Sequence, residues 1–224
     1  MSRPLVVLRP APGSEATAAR IAALGLKAIT MPLFETHAVP WIPPPAAQHD
    51  ALLLTSANAV RLAGAGLDTL RELPVYAVGG ATARAAREAG LTIAVTGTAG
   101  GAELARTAAA RGVRRGLLLC GRDHVLGIGG AVSRAVIVYA SEAAPIADDR
   151  MAAVEGAVVL LHSARAARRF AELAGAARCD RRTVRLAALS TAVAEAAGGG
   201  WETVAIAAQP ADAALIAAAA RLAD

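Results

Sequence analysis

Residues 51–60 read Ala51-Leu52-Leu53-Leu54-Thr55-Ser56-Ala57-Asn58-Ala59-Val60: an apolar run, a hydroxyl-bearing turn, then an Ala-rich stretch of helical composition. An apolar run without polar alternation predicts a strand buried on both faces, as in parallel sheets covered by helices. The same order returns later, where Val158-Val159-Leu160-Leu161 is followed by His162-Ser163-Ala164-Arg165-Ala166-Ala167. Each copy has a companion downstream. Val75-Tyr76-Ala77-Val78 leads into Gly79-Gly80-Ala81-Thr82-Ala83, and residues 184–189 lead into Ser190-Thr191-Ala192-Val193-Ala194. This internal duplication predicts two similar α/β lobes.

Outward from these units, residues 5–8 predict a buried strand. A helix is expected to follow, capped by Ser14 with Glu15 beside it and ending before Gly25. Residues 27–30 predict a second strand, leading into Met31-Pro32-Leu33-Phe34-Glu35, and Pro40, Pro43, Pro44 and Pro45 mark a linker. Residues 93–95 and 117–120 predict further strands, with a helix from about Gly101 between them; residues 204–207 lead through Pro210 into a last helix with Asp212 as its N-terminal acid. The opening strand–helix–strand lacks partners of its own, and the second repeat lacks an opening unit. Joining residues 1–35 to 142–224 completes one discontinuous α/β domain and leaves 40–137 as the other. Strands at about 34–39 and 137–141 would then cross side by side as a two-stranded ladder. The expected fold is thus α/β: two parallel-sheet, flavodoxin-like lobes, with a cleft between them facing the carboxyl ends of the strands, where such sheets bind ligands.

A chain of 224 residues accommodates two such domains of roughly 100 residues. Its residues are 55% hydrophobic but only 3% aromatic, so the core must be built from Ala, Val, Leu and Ile. The net charge of +5 favours an anionic partner, although an arginine-rich composition alone produces the same balance. Scattered arginines without Lys/Arg runs or interleaved aromatics argue against nucleic acid. Cys120 closes an apolar run and reads as a core thiol; Cys179 lies in a charged stretch, and the pair matches no metal or redox spacing. With no disulfide framework, no export signal and no membrane-spanning stretch, the expectation is a cytosolic, cytoplasmic monomer without membrane contact.

Standard catalytic motifs are missing: no nucleophile elbow, no phosphate-cradling Walker loop, no paired-histidine metal site. Gly127-x-Gly129-Gly130 follows no clean strand and reads as a surface turn. His37, His49, His124 and His162 show no ligand spacing; His162, beside Ser163, is either an acid–base group or a turn residue without a role. What remains is a set of strand-to-helix turns. Their free backbone N–H groups and positive helix ends hold anions without cationic side chains. Thr55, Ser56, Thr82, Ser163, Ser190 and Thr191 would surround the cleft, although helix capping explains each hydroxyl alone. Tyr139, in a chain with only two tyrosines, sits on the proposed crossing strand, where a neutral phenol can donate a proton. Arg9, Arg122 and Arg165 follow strands, placed either to pair with carboxylates or to remain solvated.

The order of these pieces resembles the uroporphyrinogen-III synthase family over nearly the whole chain. The matching stretches are Val7-Leu8-Arg9-Pro10, Pro32-Leu33-Phe34-Glu35, Leu54-Thr55-Ser56-Ala57-Asn58-Ala59-Val60, Val75-Tyr76-Ala77-Val78-Gly79 with Thr82-Ala83, Gly101-Ala102-Glu103-Leu104, Leu119-Cys120-Gly121-Arg122, Val138-Tyr139, and the Ser163 and Ser190 turns. The resemblance implies two α/β lobes joined by a β-ladder. It also implies a cofactor-free, metal-free lyase that cyclises hydroxymethylbilane to uroporphyrinogen III, losing water and inverting ring D through a spiro intermediate. The family's cleft tyrosine corresponds to Tyr139. Arg9, Thr55, Ser56, Gly79, Thr82, Arg122, Ser163, Ser190 and Thr191 are the expected substrate-binding positions. Departures from the family pattern fall at Leu189-Ser190-Thr191, at residues 122–133 and at His162-Ser163-Ala164. The rival expectation is a cytosolic two-lobed module that binds a small anion without chemistry.

Overall fold

The structure is a computed structural model describing residues 2–224. In chain order its elements are β1 (Leu5–Val7), α1 (Gly13–Ala23), β2 (Ala28–Thr30), β3 (Phe34–Ala38), β4 (Ala51–Leu54), α2 (Ala57–Arg61), β5 (Val75–Val78), α3 (Gly79–Glu88), β6 (Ile93–Gly97), α4 (Gly101–Ala110), β7 (Gly116–Gly121) and β8 (Val132–Ala143). They continue with α5 (Asp148–Ala152), β9 (Val158–Leu161), α6 (Ala164–Ala176), β10 (Arg185–Ala188), α7 (Thr191–Ala196), β11 (Thr203–Ile206) and α8 (Asp212–Ala223). The chain divides into two compact units, Met1–Glu35 with Glu142–Asp224, and Thr36–Ser141. No helix among the described residues is long and apolar enough to cross a membrane.

In the first unit the sheet order is β11-β10-β9-β1-β2, and each recorded strand pair is parallel. Each central strand is apolar throughout because both of its faces are buried. Leu5, Val7, Val158 and Leu160 pack with Ile21 of α1 and Leu215 and Ile216 of α8. The alternate residues Val6, Leu8, Val159 and Leu161 pack on the other face with Phe170 of α6 and Val193 of α7. This period-2 division of one hydrophobic run between two helix layers is what an unalternating strand sequence encodes.

The second unit carries the sheet β3-β8-β7-β4-β5-β6, in which the pairs β8–β7, β7–β4, β4–β5 and β5–β6 are parallel. Leu52, Leu54, Leu117 and Leu119 face Ala59, Val60, Ala83 and Ala86, whereas Leu53, Tyr76, Leu118 and Cys120 face Leu104 and Ala108 of α4. Small alanines on the helices allow this close helix-on-sheet approach. Burial pushes the Cys120 thiol up to about 11, and the thiol donates to the Val136 carbonyl at 3.4 Å, so it is an inert core group.

Two local expectations need correction. Ser14 does not cap α1: the helix starts at Gly13, with Pro12 in the cap position, and Ser14 is buried inside it. The Ser14 N–H is already satisfied by the Pro10 carbonyl at 3.1 Å, so the proline turn closes the helix start through the backbone. The strand predicted at about 137–141 is the middle of a longer one, β8, whose ends are hidden in the sequence by exposed Ser133, Arg134, Glu142 and Ala143.

Candidate functional site

Open parallel sheets take ligands beyond their carboxyl edge, where the strand order reverses. In the second unit the reversal falls between β4, which is followed in space by β5 and β6, and β7, which is followed by β8. Thr55 and Ser56 leave the end of β4. Ser56 is extended and accepts the Asn58 N–H at 3.1 Å, capping α2. The Thr55 methyl lies against Gly101, the start of α4. Gly79 follows the neighbouring β5 with φ +75°, a backbone state open to glycine, and begins α3.

Tyr139 of β8 lies level with Gly121, the last residue of β7. A Cβ on Gly121 would stand 2.5 Å from Cζ and 2.8 Å from the hydroxyl oxygen of Tyr139, so the glycine exists to let the phenol ring lie across the strand end. Arg122 follows, its N–H donating to the Tyr139 carbonyl at 3.0 Å. The structure therefore brings Thr55, Ser56 and Arg122 to the ends of the adjacent strands β4 and β7, with Tyr139 in the middle of β8 level with the end of β7. Thr82 is placed differently. It is buried within α3, past the helix start, and does not stand in the open turn.

The first unit reverses its strand order between β1 and β9. Arg9 follows β1; His162 and Ser163 follow β9. Ser163 caps α6, accepting the Ala166 N–H at 3.2 Å. Ser190, one strand outward, takes the extended cap conformation before α7 without a side-chain cap bond, and Thr191 beside it is exposed. Arg165 stacks its guanidinium 4.2 Å over the Phe34 ring.

A group that sequence reading did not assemble lies at this reversal. The Asp212 carboxylate accepts from Thr17 at 2.9 Å, from His162 Nε2 at 2.9 Å, from Arg20, and more distantly from Arg9 at 3.5 Å. Burial alone would raise the Asp212 pKa, but its hydrogen bonds from His162, Thr17 and Arg20 outweigh that and hold it below the ordinary carboxylate value. For His162, burial is the largest influence and lowers the imidazole pKa despite the upward pull of Asp212. The available signal was the spacing of Thr17 and Arg20 on one face of α1 together with Asp212 at a helix start; nothing local joins them.

The two shifts act on stability in the same direction but in different pH windows. The His162 contribution is complete above the ordinary histidine value of about 6.5 and is lost below it, because the unfolded chain takes up a proton that the folded unit resists. The Asp212 contribution is complete above about 3.9 and is lost as pH falls through its lower folded value. Thermal melts at pH 7 and pH 5 should thus show a loss of stability on acidification. That loss should shrink in His162→Gln, whose amide still donates to Asp212. An equal loss in both proteins would remove His162 as its source.

Fold and site define a class: a two-unit parallel α/β protein with polar turns at both strand-order reversals. Within that class, the chain belongs to the uroporphyrinogen-III synthase family, whose HemD family model matches residues 15–217. It is accordingly an enzyme of tetrapyrrole and haem biosynthesis. Solved structures agree in fold. The uroporphyrinogen-III synthetase of Helicobacter pylori 26695 is 19% identical, with a TM-score of 0.67 over 98% of this chain and 99% of that one. A mutant uroporphyrinogen III synthase of the extremely thermophilic bacterium Thermus thermophilus is 17% identical, with a TM-score of 0.51 over 96% of each chain. No curated protein sequence matches significantly.

Proposed function

We propose that the chain acts as a cyclising hydro-lyase that converts hydroxymethylbilane to uroporphyrinogen III, with loss of water and inversion of ring D. The family match over residues 15–217 carries this reading. The bilane closes unaided to the symmetric isomer, so the enzyme must favour attack at the substituted carbon of ring D. Holding both ends of the chain in one geometry does this, and binding energy from the peripheral carboxylates is available for it.

In this reading the Tyr139 phenol gives its proton to the departing hydroxyl, which leaves as water when the C–O bond breaks. The proton released as the attacked ring regains its aromatic form restores the phenol, so the net change is loss of one water. Acetate and propionate arms are held by turn amides, hydroxyls and guanidiniums at Arg9, Thr55, Ser56, Gly79, Thr82, Arg122, Ser163, Ser190 and Thr191. Among these, Arg9, Thr55, Ser56 and Ser163 stand at strand-order reversals. The working form is taken to be a cytosolic monomer.

The test is the isomer formed from freshly generated hydroxymethylbilane, oxidised and separated by chromatography. The expected product is predominantly type III. Type I alone, at the rate seen without protein and from a folded sample, would overturn the reading.

A further inference from the structure

At the reversal of the first sheet, two side chains leave neighbouring strand ends, Arg9 after β1 and His162 after β9, and both converge on Asp212. We propose that this network is a built anion subsite: Arg9 grips a carboxylate of the tetrapyrrole, and Asp212 is the positioning residue that presents it. The inference rests on the function proposed above and assigns a binding group and its support within the first unit.

The geometry of Arg9 separates it from an ordinary structural ion pair. Its contact with Asp212 is long and one-sided, Nη1 to Oδ1 at 3.5 Å. Asp212 is committed more closely to Thr17, Arg20 and His162. The Arg9 side chain is 36% exposed against 17% for Asp212. Its Nε and Nη2 make no hydrogen bond among the described residues, which leaves the edge of the guanidinium suited to a bidentate carboxylate.

That edge is held in place by an absence. A Cβ on Gly13 would lie 2.4 Å from Arg9 Nε and 2.8 Å from Nη2, so the guanidinium crosses the start of α1 where only glycine leaves room. The charges also favour an anion. Arg9 and Arg20 oppose the single carboxylate of Asp212, and His162 adds no charge near neutral pH because burial lowers its pKa. The His162 side chain is 10% exposed and donates Nε2–H to Asp212. The carboxylate of Asp212 is thus taken up by its closer partners, and the donors that Arg9 keeps are the ones a further anion would meet.

Steady-state kinetics with hydroxymethylbilane test the subsite. Gly13→Ala displaces only the flexible end of Arg9, so the protein should fold normally. KM should rise about tenfold, the loss expected for a charge-assisted pair, with kcat within about twofold. Asp212→Asn should raise KM similarly. The double variant should raise it by much less than the product of the two effects, because both act through Arg9. Arg9→Lys should match Gly13→Ala, since it keeps charge but loses the fork. Type III formation by the unaltered chain is scored first in the same assay, and its absence sinks the proposed function. Its presence together with an unchanged KM in folded Gly13→Ala, or an effect confined to kcat, sinks the subsite alone.

Discussion

Truncating Phe170 to alanine is expected to destabilise the first unit by about 3–5 kcal/mol. Phe170 is fully buried and is one of only two phenylalanines in the chain. Its ring stacks on Trp201 with centroids 5.3 Å apart, and Arg181 covers the other part of that aromatic pair, 4.7 Å over the Trp201 ring. Beside the only partly buried Leu173, its fully or nearly buried neighbours on α6 are alanines, Ala166, Ala167 and Ala174. None of these can move into the space, because their short side chains are fixed to a helix whose backbone rests on β9. The cavity term therefore adds almost fully to the lost transfer energy. For a chain of this size the midpoint should fall by roughly 10 °C. Thermal and urea melts followed by circular dichroism check this, and a fall of less than about 3 °C would show that the Ala-rich layer relaxes after all.

The same alanine-rich layering explains what could be read from the sequence. Strands such as Val75–Val78 and Val158–Leu161 were legible because burial on both faces removes polar residues from the run. Ser56 and Ser163 were legible because an N-cap is a local device, its oxygen reaching only the N–H of Asn58 or Ala166. Ser14 looked equivalent and was not, since the helix already starts at Gly13 and the Ala16 N–H that a Ser14 cap would take is bonded to the Pro12 carbonyl. The Asp212 network is the opposite case. Its members meet across 195 residues for Thr17 and 50 for His162, and each has an ordinary local meaning as helix surface, helix acid or turn histidine. Only the strand order, which places β1 beside β9, brings them together. Gly13 and Gly121 were equally silent, because a glycine that makes room for a side chain looks the same in sequence as one that makes a turn.

For the chemistry, Tyr139→Phe is expected to lower kcat about a hundredfold, the scale of a lost general acid. It should also shift product from type III toward type I. The second effect follows from the first: slower enzymatic hydroxyl loss leaves more bilane to close unaided, and the unaided route gives the symmetric isomer. Phenylalanine keeps the ring packed across Gly121, so stability should change little and the loss can be assigned to the hydroxyl. Gly121→Ala supplies the converse. Its Cβ would sit 2.5 Å from Tyr139 Cζ, forcing the ring off the strand end while leaving the phenol chemically intact. If the phenol must stand at that end of β7, this variant should lose turnover to a similar degree. Full turnover and an unchanged isomer ratio in Tyr139→Phe would remove the phenol from the reaction. Loss in Tyr139→Phe with normal turnover in Gly121→Ala would keep the hydroxyl but show that its place over Gly121 is not the working one.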